Sequence, residues 1–154
     1  MKNYYTDNLY YSTAAFSREI NAIAESEFMD LGLTPSDAYL LMVVNEKPNV
    51  QPTEISDRIL LAPSTITRMI EKLEKRHIVI RTSEGKYTFV AVTAKGKDLY
   101  DSIIAKWDRI NARFVEKLGQ EGMESLINTT SQAAAAIRPE KIQRKLKRLK
   151  VKSE

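Results

Sequence analysis

Residues 63–76 restrict the fold more than any other part of the chain. Their apolar side chains recur at i, i+3, i+4 and i+7, the spacing that places them on one face of a helix. These side chains are Ile66, Met69, Ile70 and Leu73. The other face carries hydroxyls and charges, on Ser64, Thr65, Thr67, Arg68, Glu71 and Lys72. Because hydroxyls and cations can contact phosphates and base edges, the pattern predicts a helix that packs on one side and reads DNA on the other.

The sequence around this helix predicts a winged helix-turn-helix. A short helix is expected over residues 53–60, separated from the helix above by a tight turn. Residues 78–82 and 87–92 are rich in β-branched and aromatic side chains, as strands are, and residues 83–86 between them include Gly85, which accepts a positive φ. Two short helices across a tight turn, followed by a hairpin, form a winged helix-turn-helix.

Longer amphipathic helices are predicted on both sides of this unit. One apolar stripe runs through residues 9–31, and a second follows Thr93, a suitable N-cap, as far as Gly119. Residues 120–137 continue with another helix, which the following proline interrupts. A short, buried helix is expected to start after Thr34. The long N-terminal helix has few neighbours in sequence, so it needs a packing partner.

Composition excludes several kinds of site. The chain of 154 residues has no cysteine and one histidine, His77, so disulfides, thiol redox sensing and cysteine zinc sites are excluded. A metal site or a Ser-His-Asp triad would be hard to build, and no phosphate-binding glycine loop is present. We therefore expect no enzyme, no metal and no cofactor. No apolar run reaches the ~20 residues of a membrane span and no signal peptide appears, so we expect a cytoplasmic protein.

The net charge of +4 is unevenly distributed. Residues 58–97 hold nine cations and three carboxylates, a basic island typical of a nucleic-acid surface. Residues 138–152 hold eight cations and one carboxylate. This basic tail can be a solvated surface, a helix at a dimer interface or an additional phosphate contact. Its spaced apolar residues favour an interface.

Four segments resemble the MarR family of bacterial transcriptional regulators. They are Leu33-Thr34-Pro35-Ser36, Thr53-Glu54-Ile55-Ser56, residues 62–74 and Val92-Thr93-Ala94-Lys95-Gly96. The resemblance covers about residues 9–137. It implies a homodimer whose N- and C-terminal helices build the dimer and whose two recognition helices enter successive major grooves. In many members a small ligand binds between the dimer and DNA-binding parts and weakens DNA binding.

The chain departs from the family pattern in two places. Family wings usually carry an arginine that enters the minor groove, whereas residues 83–86 are shorter and have none. Arg81 or Lys86 is then expected to contact phosphate instead. His77 stands where the family commonly has glycine at the end of the recognition helix. Histidine tolerates the left-handed conformation better than most residues, so a cap is favoured over a pH sensor or ligand.

The residues and the resemblance together give a set of candidate sites. Base edges are assigned to Ser64, Thr65, Thr67 and Arg68, and phosphates to Lys72, Arg81 and Lys86. An effector crevice is a further possibility, lined by Tyr10, Tyr11 and Tyr39, although buried aromatics on such helices usually only pack. Trp107 is expected in the core or the dimer contact rather than in a cofactor site.

The predicted fold is mainly α with a small β-hairpin wing: a winged helix-turn-helix plus long dimerisation helices. We divide the chain into an N-terminal arm and dimerisation helix (1–31), the DNA-binding domain (32–97), and C-terminal dimerisation helices with the basic tail (98–154). The sequence predicts a sequence-specific transcriptional regulator, in particular a repressor. It is expected to bind a pseudo-palindromic operator as a homodimer and to respond to a small-molecule effector. The alternative is a dimerising winged-helix adaptor or architectural protein with weak, non-specific DNA binding.

Overall fold

The computed structural model describes residue 3 and residues 7–139. This part of the chain is mainly helical with one two-stranded antiparallel sheet, which confirms the predicted fold class. The basic tail beyond Pro139 lies outside the described residues. In chain order the elements are α1 (Leu9–Phe28), α2 (Pro35–Glu46), α3 (Pro52–Ile59), α4 (Pro63–Lys75), β1 (Val79–Glu84), β2 (Tyr87–Val92), α5 (Ala94–Asp98), α6 (Tyr100–Leu118) and α7 (Gln120–Ile137).

The predicted start of α2 is confirmed and is held by a complete capping box. The Thr34 hydroxyl accepts the backbone N–H of Asp37 at 3.1 Å, and the Asp37 carboxylate accepts the N–H of Thr34 at 2.8 Å. A short 3-10 turn, Met29–Leu31, and Gly32 in the left-handed region lead from α1 into this cap. The long helix predicted over residues 9–31 therefore ends at Phe28 and is completed by a turn.

The end of α4 is a Schellman motif with histidine in the left-handed position. His77 has φ 57°, its N–H donates to the carbonyl of Glu74 at 2.8 Å, and the N–H of Ile78 donates to that of Leu73 at 3.0 Å. Leu73 and Ile78 are both buried, which supplies the apolar contact that accompanies the motif. The interpretation of His77 as a helix cap is thereby confirmed.

The wing hairpin is tighter than predicted. Val79 pairs with Val92 and Glu84 pairs with Tyr87, so only Gly85 and Lys86 form the turn. Gly85 has φ 59°, which a two-residue hairpin turn requires and glycine adopts without strain. The sequence placed the loop over residues 83–86 because Ser83 and Glu84 are poor strand formers, but cross-strand pairing extends β1 through both.

The long helix expected after Thr93 is divided in two at Leu99. Thr93 caps the short α5, because its hydroxyl accepts the N–H of Gly96 at 3.1 Å, and it donates to the carbonyl of His77 at 2.7 Å. A Cβ atom on Gly96 would lie 2.2 Å from the carbonyl oxygen of Ile78. Glycine at this position lets α5 pack directly on the backbone at the start of the wing.

The core lies between α1, α2, the helix-turn-helix and α6. It contains Phe28, Leu40, Leu41, Ile55, Ile66, Ile70, Leu73, Ile103 and Ile110, all almost fully buried. Trp107 packs against this core with an edge contact to Phe28 at 5.0 Å, in agreement with the predicted core role. In contrast, α7 has no buried residue in the single chain.

Candidate nucleic-acid interface

The apolar and the polar side chains of α4 lie on opposite faces of the helix, as the sequence predicts. Ile66, Ile70 and Leu73 are buried against the core, and Met69 is half-buried beside them. The hydroxyls and charges lie on the opposite side, so the apolar face fixes the helix and leaves a polar face available. The α3–α4 pair and the hairpin form the winged helix-turn-helix geometry, in which the second helix enters the major groove.

The four predicted base-reading side chains differ in how freely they are presented. Ser64, Thr67 and Arg68 are exposed, whereas Thr65 is half-buried. The Thr67 hydroxyl donates to the carbonyl of Pro63 at 3.0 Å, so it keeps its acceptor capacity for a base or phosphate. Within residues 7–139, the guanidinium of Arg68 forms no hydrogen bond or ion pair. Arg68 is therefore the cation of this face that is most available to an external partner.

Lys72 carries an internal partner that the sequence did not reveal. Its Nζ lies 2.5 Å from the Oδ2 of Asp37, the capping residue of α2. Asp37 is buried, while the Lys72 side chain is 46% exposed. The predicted phosphate contact of Lys72 stays a prediction, but its ammonium is already held by a carboxylate.

Arg81 is held in the same way, by Glu74 on α4. Its Nε and Nη2 donate to the Oε2 of Glu74 at 2.9 and 2.5 Å, and its backbone N–H donates to the Oε1 at 3.2 Å. The side-chain hydrogen bond lowers the pKa of the Glu74 carboxyl and raises the pKa of Arg81. This ion pair joins the first strand of the wing to the recognition helix.

Lys86 occupies the tip of the wing. Its side chain is exposed, and its Nζ lies 5.4 Å from the centre of the Tyr87 ring, within the range of a cation–π contact. Position and exposure are both compatible with the predicted phosphate contact. Among the described residues of the turn, Lys86 is the one basic side chain, so the wing presents a single positive charge at its end.

Two contacts at the other end of α4 were also missed by sequence reasoning. The Arg76 guanidinium donates to the carbonyls of Gly32 at 2.5 Å and Leu31 at 2.9 Å, and the Lys95 Nζ donates to the carbonyl of Arg76 at 3.0 Å. These bonds fasten the end of the recognition helix to the turn after α1 and to α5. Arg76 and Lys95 contributed to the basic island in sequence, yet both have internal partners.

Of the three tyrosines predicted to line an effector crevice, only Tyr39 lies at a cavity within the part of the chain that the structure describes, and the crevice stays a prediction. A cavity of about 460 Å³ lies between α1, α2 and α6, and Tyr39 lines it. Other lining side chains are mostly apolar and include Ile20, Ala24, Met42, Trp107 and Phe114. The Tyr39 ring stacks on Trp107 with 4.4 Å between centroids, and partial burial raises the pKa of its hydroxyl. Tyr10 and Tyr11 are exposed on the first turn of α1 and do not line the cavity.

The described residues contain no group of three or more histidine, cysteine, aspartate or glutamate side chains arranged to hold a metal ion. In the same part of the chain, none of the helices has the length and apolar character needed to cross a membrane.

Comparison with known proteins finds a family that the helix-turn-helix resembles. Residues 31–86 match the model of the MarR family, and this segment contains α2, α3, α4 and most of the hairpin. The helix-turn-helix segment is therefore similar to that of MarR-family transcriptional regulators.

Proteins that are similar to this chain include repressors. The transcriptional repressor MdtR of Bacillus subtilis is 27% identical over 108 residues, which cover 68% of this chain and 70% of MdtR. The transcriptional repressor CouR bound to a 23-mer DNA duplex has a similar fold, with a TM-score of 0.78, 19% identity, and coverage of 87% of this chain and 98% of CouR. CouR from Rhodococcus jostii RHA1 bound to p-coumaroyl-CoA aligns with a TM-score of 0.74 and 19% identity, covering 90% of this chain and 99% of that one.

Proposed function

We propose that this chain is a MarR-family regulator that acts as a homodimeric repressor and binds a pseudo-palindromic operator in the bacterial cytoplasm. Each subunit places α4 in a major groove, with half-sites about one helical turn apart. Ser64, Thr65, Thr67 and Arg68 contact base edges, while Arg81 and Lys86 contact phosphate. The observation that carries the proposal is the exposed polar face of α4, on which Arg68 has no partner within residues 7–139.

Exposed apolar side chains at both ends of the chain support the homodimer. Leu9, Tyr10 and Phe16 are exposed on α1, and Ile127 and Ile137 are exposed on α7. A monomer that left these faces in water would lose the free energy that burial of large apolar side chains provides, about 1.5 to 3 kcal/mol for each fully buried one. A second copy of the chain can cover both faces at once, because a two-fold interface uses the same surface on each subunit.

The cavity beside Tyr39 supports release by a small ligand. It lies between helices that would build the dimer and the start of α2, so a ligand there would contact both parts of the molecule. Its lining suits an aromatic or acyl group. Trp107 has a buried indole N–H that finds no acceptor among the described residues, and an oxygen atom of a ligand could supply one.

The test is quantitative DNA binding at several salt concentrations. The regulator is expected to bind DNA flanking its own gene with a Kd at least about a thousand-fold below its Kd for scrambled DNA of equal length, and log K should fall steeply with log salt. Equal, weak binding to both duplexes would refute the repressor.

Equal binding would support the alternative, a dimerising adaptor or architectural protein. The tight wing is the observation that favours this alternative, since the Gly85-Lys86 turn carries no arginine for the minor groove. The arginine of the first wing strand is held by Glu74. A low ratio of specific to non-specific binding would then accompany a retained salt dependence.

A further inference from the structure

Asp37 is the one buried carboxylate among the residues that the structure describes, with 1% of its surface exposed. Its Oδ2 atom accepts two hydrogen bonds, from the backbone N–H of Thr34 at 2.8 Å and from the Nζ of Lys72 at 2.5 Å. The first bond closes the capping box of α2. The second joins α2 to α4 and is the ion pair that ties the start of the buried helix to the recognition helix.

The burial of Asp37 argues that this pair persists when DNA is bound. A buried carboxylate is tolerated when an opposite charge and hydrogen bonds compensate its lost hydration, and removal of the partner is strongly unfavourable. If a phosphate took Lys72 away, Asp37 would keep only the N–H of Thr34. The Lys72 side chain is half-exposed, but the Asp37 carboxylate, whose charge it compensates, is buried. Transfer of the ammonium to DNA would therefore cost more than transfer of a free surface lysine.

The position of Lys72 on α4 places the ion pair beside two of the predicted base-reading side chains. Lys72 lies one helical turn beyond Arg68 and two turns beyond Thr65, so the three side chains share one edge of the helix. All three, with Asp37, line a groove of about 560 Å³ between α1, the start of α2 and α4. Apolar side chains such as Ile70 hold α4 against the core but are non-directional. A charged hydrogen bond at this edge fixes the rotation of α4 about its axis.

We propose that Asp37 and Lys72 are positioning residues for sequence readout. The ion pair sets the direction in which Thr65 and Arg68 point, and Lys72 stays on Asp37 in the DNA complex rather than on phosphate. This inference rests on the proposed function, because it concerns how the same helix face reads base edges. It changes the role of Lys72 from a phosphate contact to a support for its neighbours.

The experiment compares five variants of the full chain with the wild type. Asp37→Asn keeps an oxygen for the Thr34 cap but removes the charge, and Lys72→Gln removes the opposite charge. The double variant tests whether the two act as one unit. Lys72→Arg keeps the ion pair. Lys75→Gln is the matched control, since it removes an exposed charge from the last turn of the same helix. Binding to matched and mismatched operator duplexes is measured across a salt series, and thermal melting verifies that each variant is folded.

Asp37→Asn and Lys72→Gln are each expected to lose about tenfold of the preference for the matched duplex, within the range of one base-edge contact. The salt slope should stay at the wild-type value, the double variant should be no worse than either single one, and Lys72→Arg and Lys75→Gln should keep the preference. If Asp37→Asn does not fold, Lys72→Gln and Lys72→Arg still decide the question.

Two results would overturn the inference. A fall of about 0.9 in the salt slope for Lys72→Gln, with no change in preference, would make Lys72 a phosphate contact. Wild-type preference in both charge-removing variants would mean that the pair holds the fold without orienting the reading face. Failure of the proposed function is seen separately, in the wild-type reference: a wild type without preference refutes both the readout and any residue that positions it.

Discussion

His77 adopts a left-handed backbone conformation that only glycine takes without steric cost. Its φ of 57° occurs in the three-residue connection between the end of α4 at Lys75 and the start of β1 at Val79. The two hydrogen bonds of the Schellman motif and the apolar contact between Leu73 and Ile78 keep it there. The exposed imidazole has no bond to another described group, so its contribution to this turn is conformational rather than chemical.

Replacement of His77 by glycine is therefore expected to stabilise the protein. The gain should be about 1 kcal/mol in the free energy of unfolding, since glycine avoids the clash of Cβ in the left-handed region. Urea denaturation at pH 7 measures it. His77→Ala keeps a Cβ atom and should not stabilise; equal midpoints for wild type and His77→Gly would show that the histidine is not strained.

At the level of single residues, local features could be predicted from the sequence, but contacts between distant residues could not. The cap at Thr34 follows from a local rule, because it joins residues three apart, whereas the left-handed position of His77 is predicted from the resemblance to the MarR family. The ion pair of Lys72 with Asp37 could not be predicted, since the two are far apart in sequence and meet only when α2 packs beside α4. The number of charges in the basic island could be counted from the sequence. The sequence did not show which of these side chains would have partners within the protein.

Among the elements, α5 depends most on one residue. Its first turn lies directly on the backbone of Ile78, the residue before β1, and a Cβ atom on Gly96 would clash there. Thr93 adds hydrogen bonds to His77 and Ile78 at the same place. The spacing Thr-x-x-Gly was recognised in the sequence by resemblance, and the close approach of two backbones supplies its physical reason.

Gly96→Ala is expected to destabilise the protein by about 1 to 3 kcal/mol, because the added methyl group would meet the Ile78 carbonyl at 2.2 Å and force the helix away from the strand. Chemical denaturation of the purified variant measures the loss. Gly122→Ala is the matched control: its Cβ would find its nearest neighbour at 3.7 Å, so the helix α7 should tolerate it. Equal stability of Gly96→Ala and wild type would refute the close contact.

An ion pair between Glu74 and Arg81 joins the recognition helix to the wing. The stability that this ion pair contributes therefore depends on pH. The pKa of Glu74 is lowered from its ordinary 4.5, mainly by the hydrogen bond from Arg81. A carboxylate with a lowered pKa contributes stability above its unfolded pKa and loses it as pH falls through the folded one.

The stability difference between wild type and Glu74→Gln should thus be constant above pH 4.5 and shrink as pH drops below 4.5. Denaturation of both proteins at a series of pH values gives this difference, and subtraction removes the other carboxylates that both share. A difference that did not change with pH would show that the ion pair contributes nothing to folding.

At the scale of the whole molecule, the long helices α1 and α7 leave large apolar side chains exposed in a single chain. The fold class and the order of elements were readable from helical periodicity, turn residues and the β-branched runs. The apolar residues of α7 are not buried within the chain. The sequence pattern alone could not predict this, since residues that pack between subunits carry the same pattern as residues that pack within one. Only the resemblance placed α7 in a dimer interface, and that interface stays a prediction.

Ile127→Glu is expected to convert a dimer into a monomer at micromolar concentration, because a carboxylate would be placed in an apolar interface without a partner. Sedimentation velocity reports the change. Thr129→Glu lies on the other side of the same helix and should leave the dimer intact. Wild-type sedimentation of Ile127→Glu would place the interface elsewhere.

The central claim is that the exposed face of α4 reads the base sequence, and Arg68 tests it most directly. The measurement is the Kd of wild type, Arg68→Ala and the control Lys75→Ala for an operator duplex and for duplexes with single base-pair changes. Arg68→Ala should lower affinity and lose about 1 to 3 kcal/mol of preference at one or two base positions, while Lys75→Ala keeps it. An Arg68→Ala protein with the full wild-type preference at every position would contradict the claim.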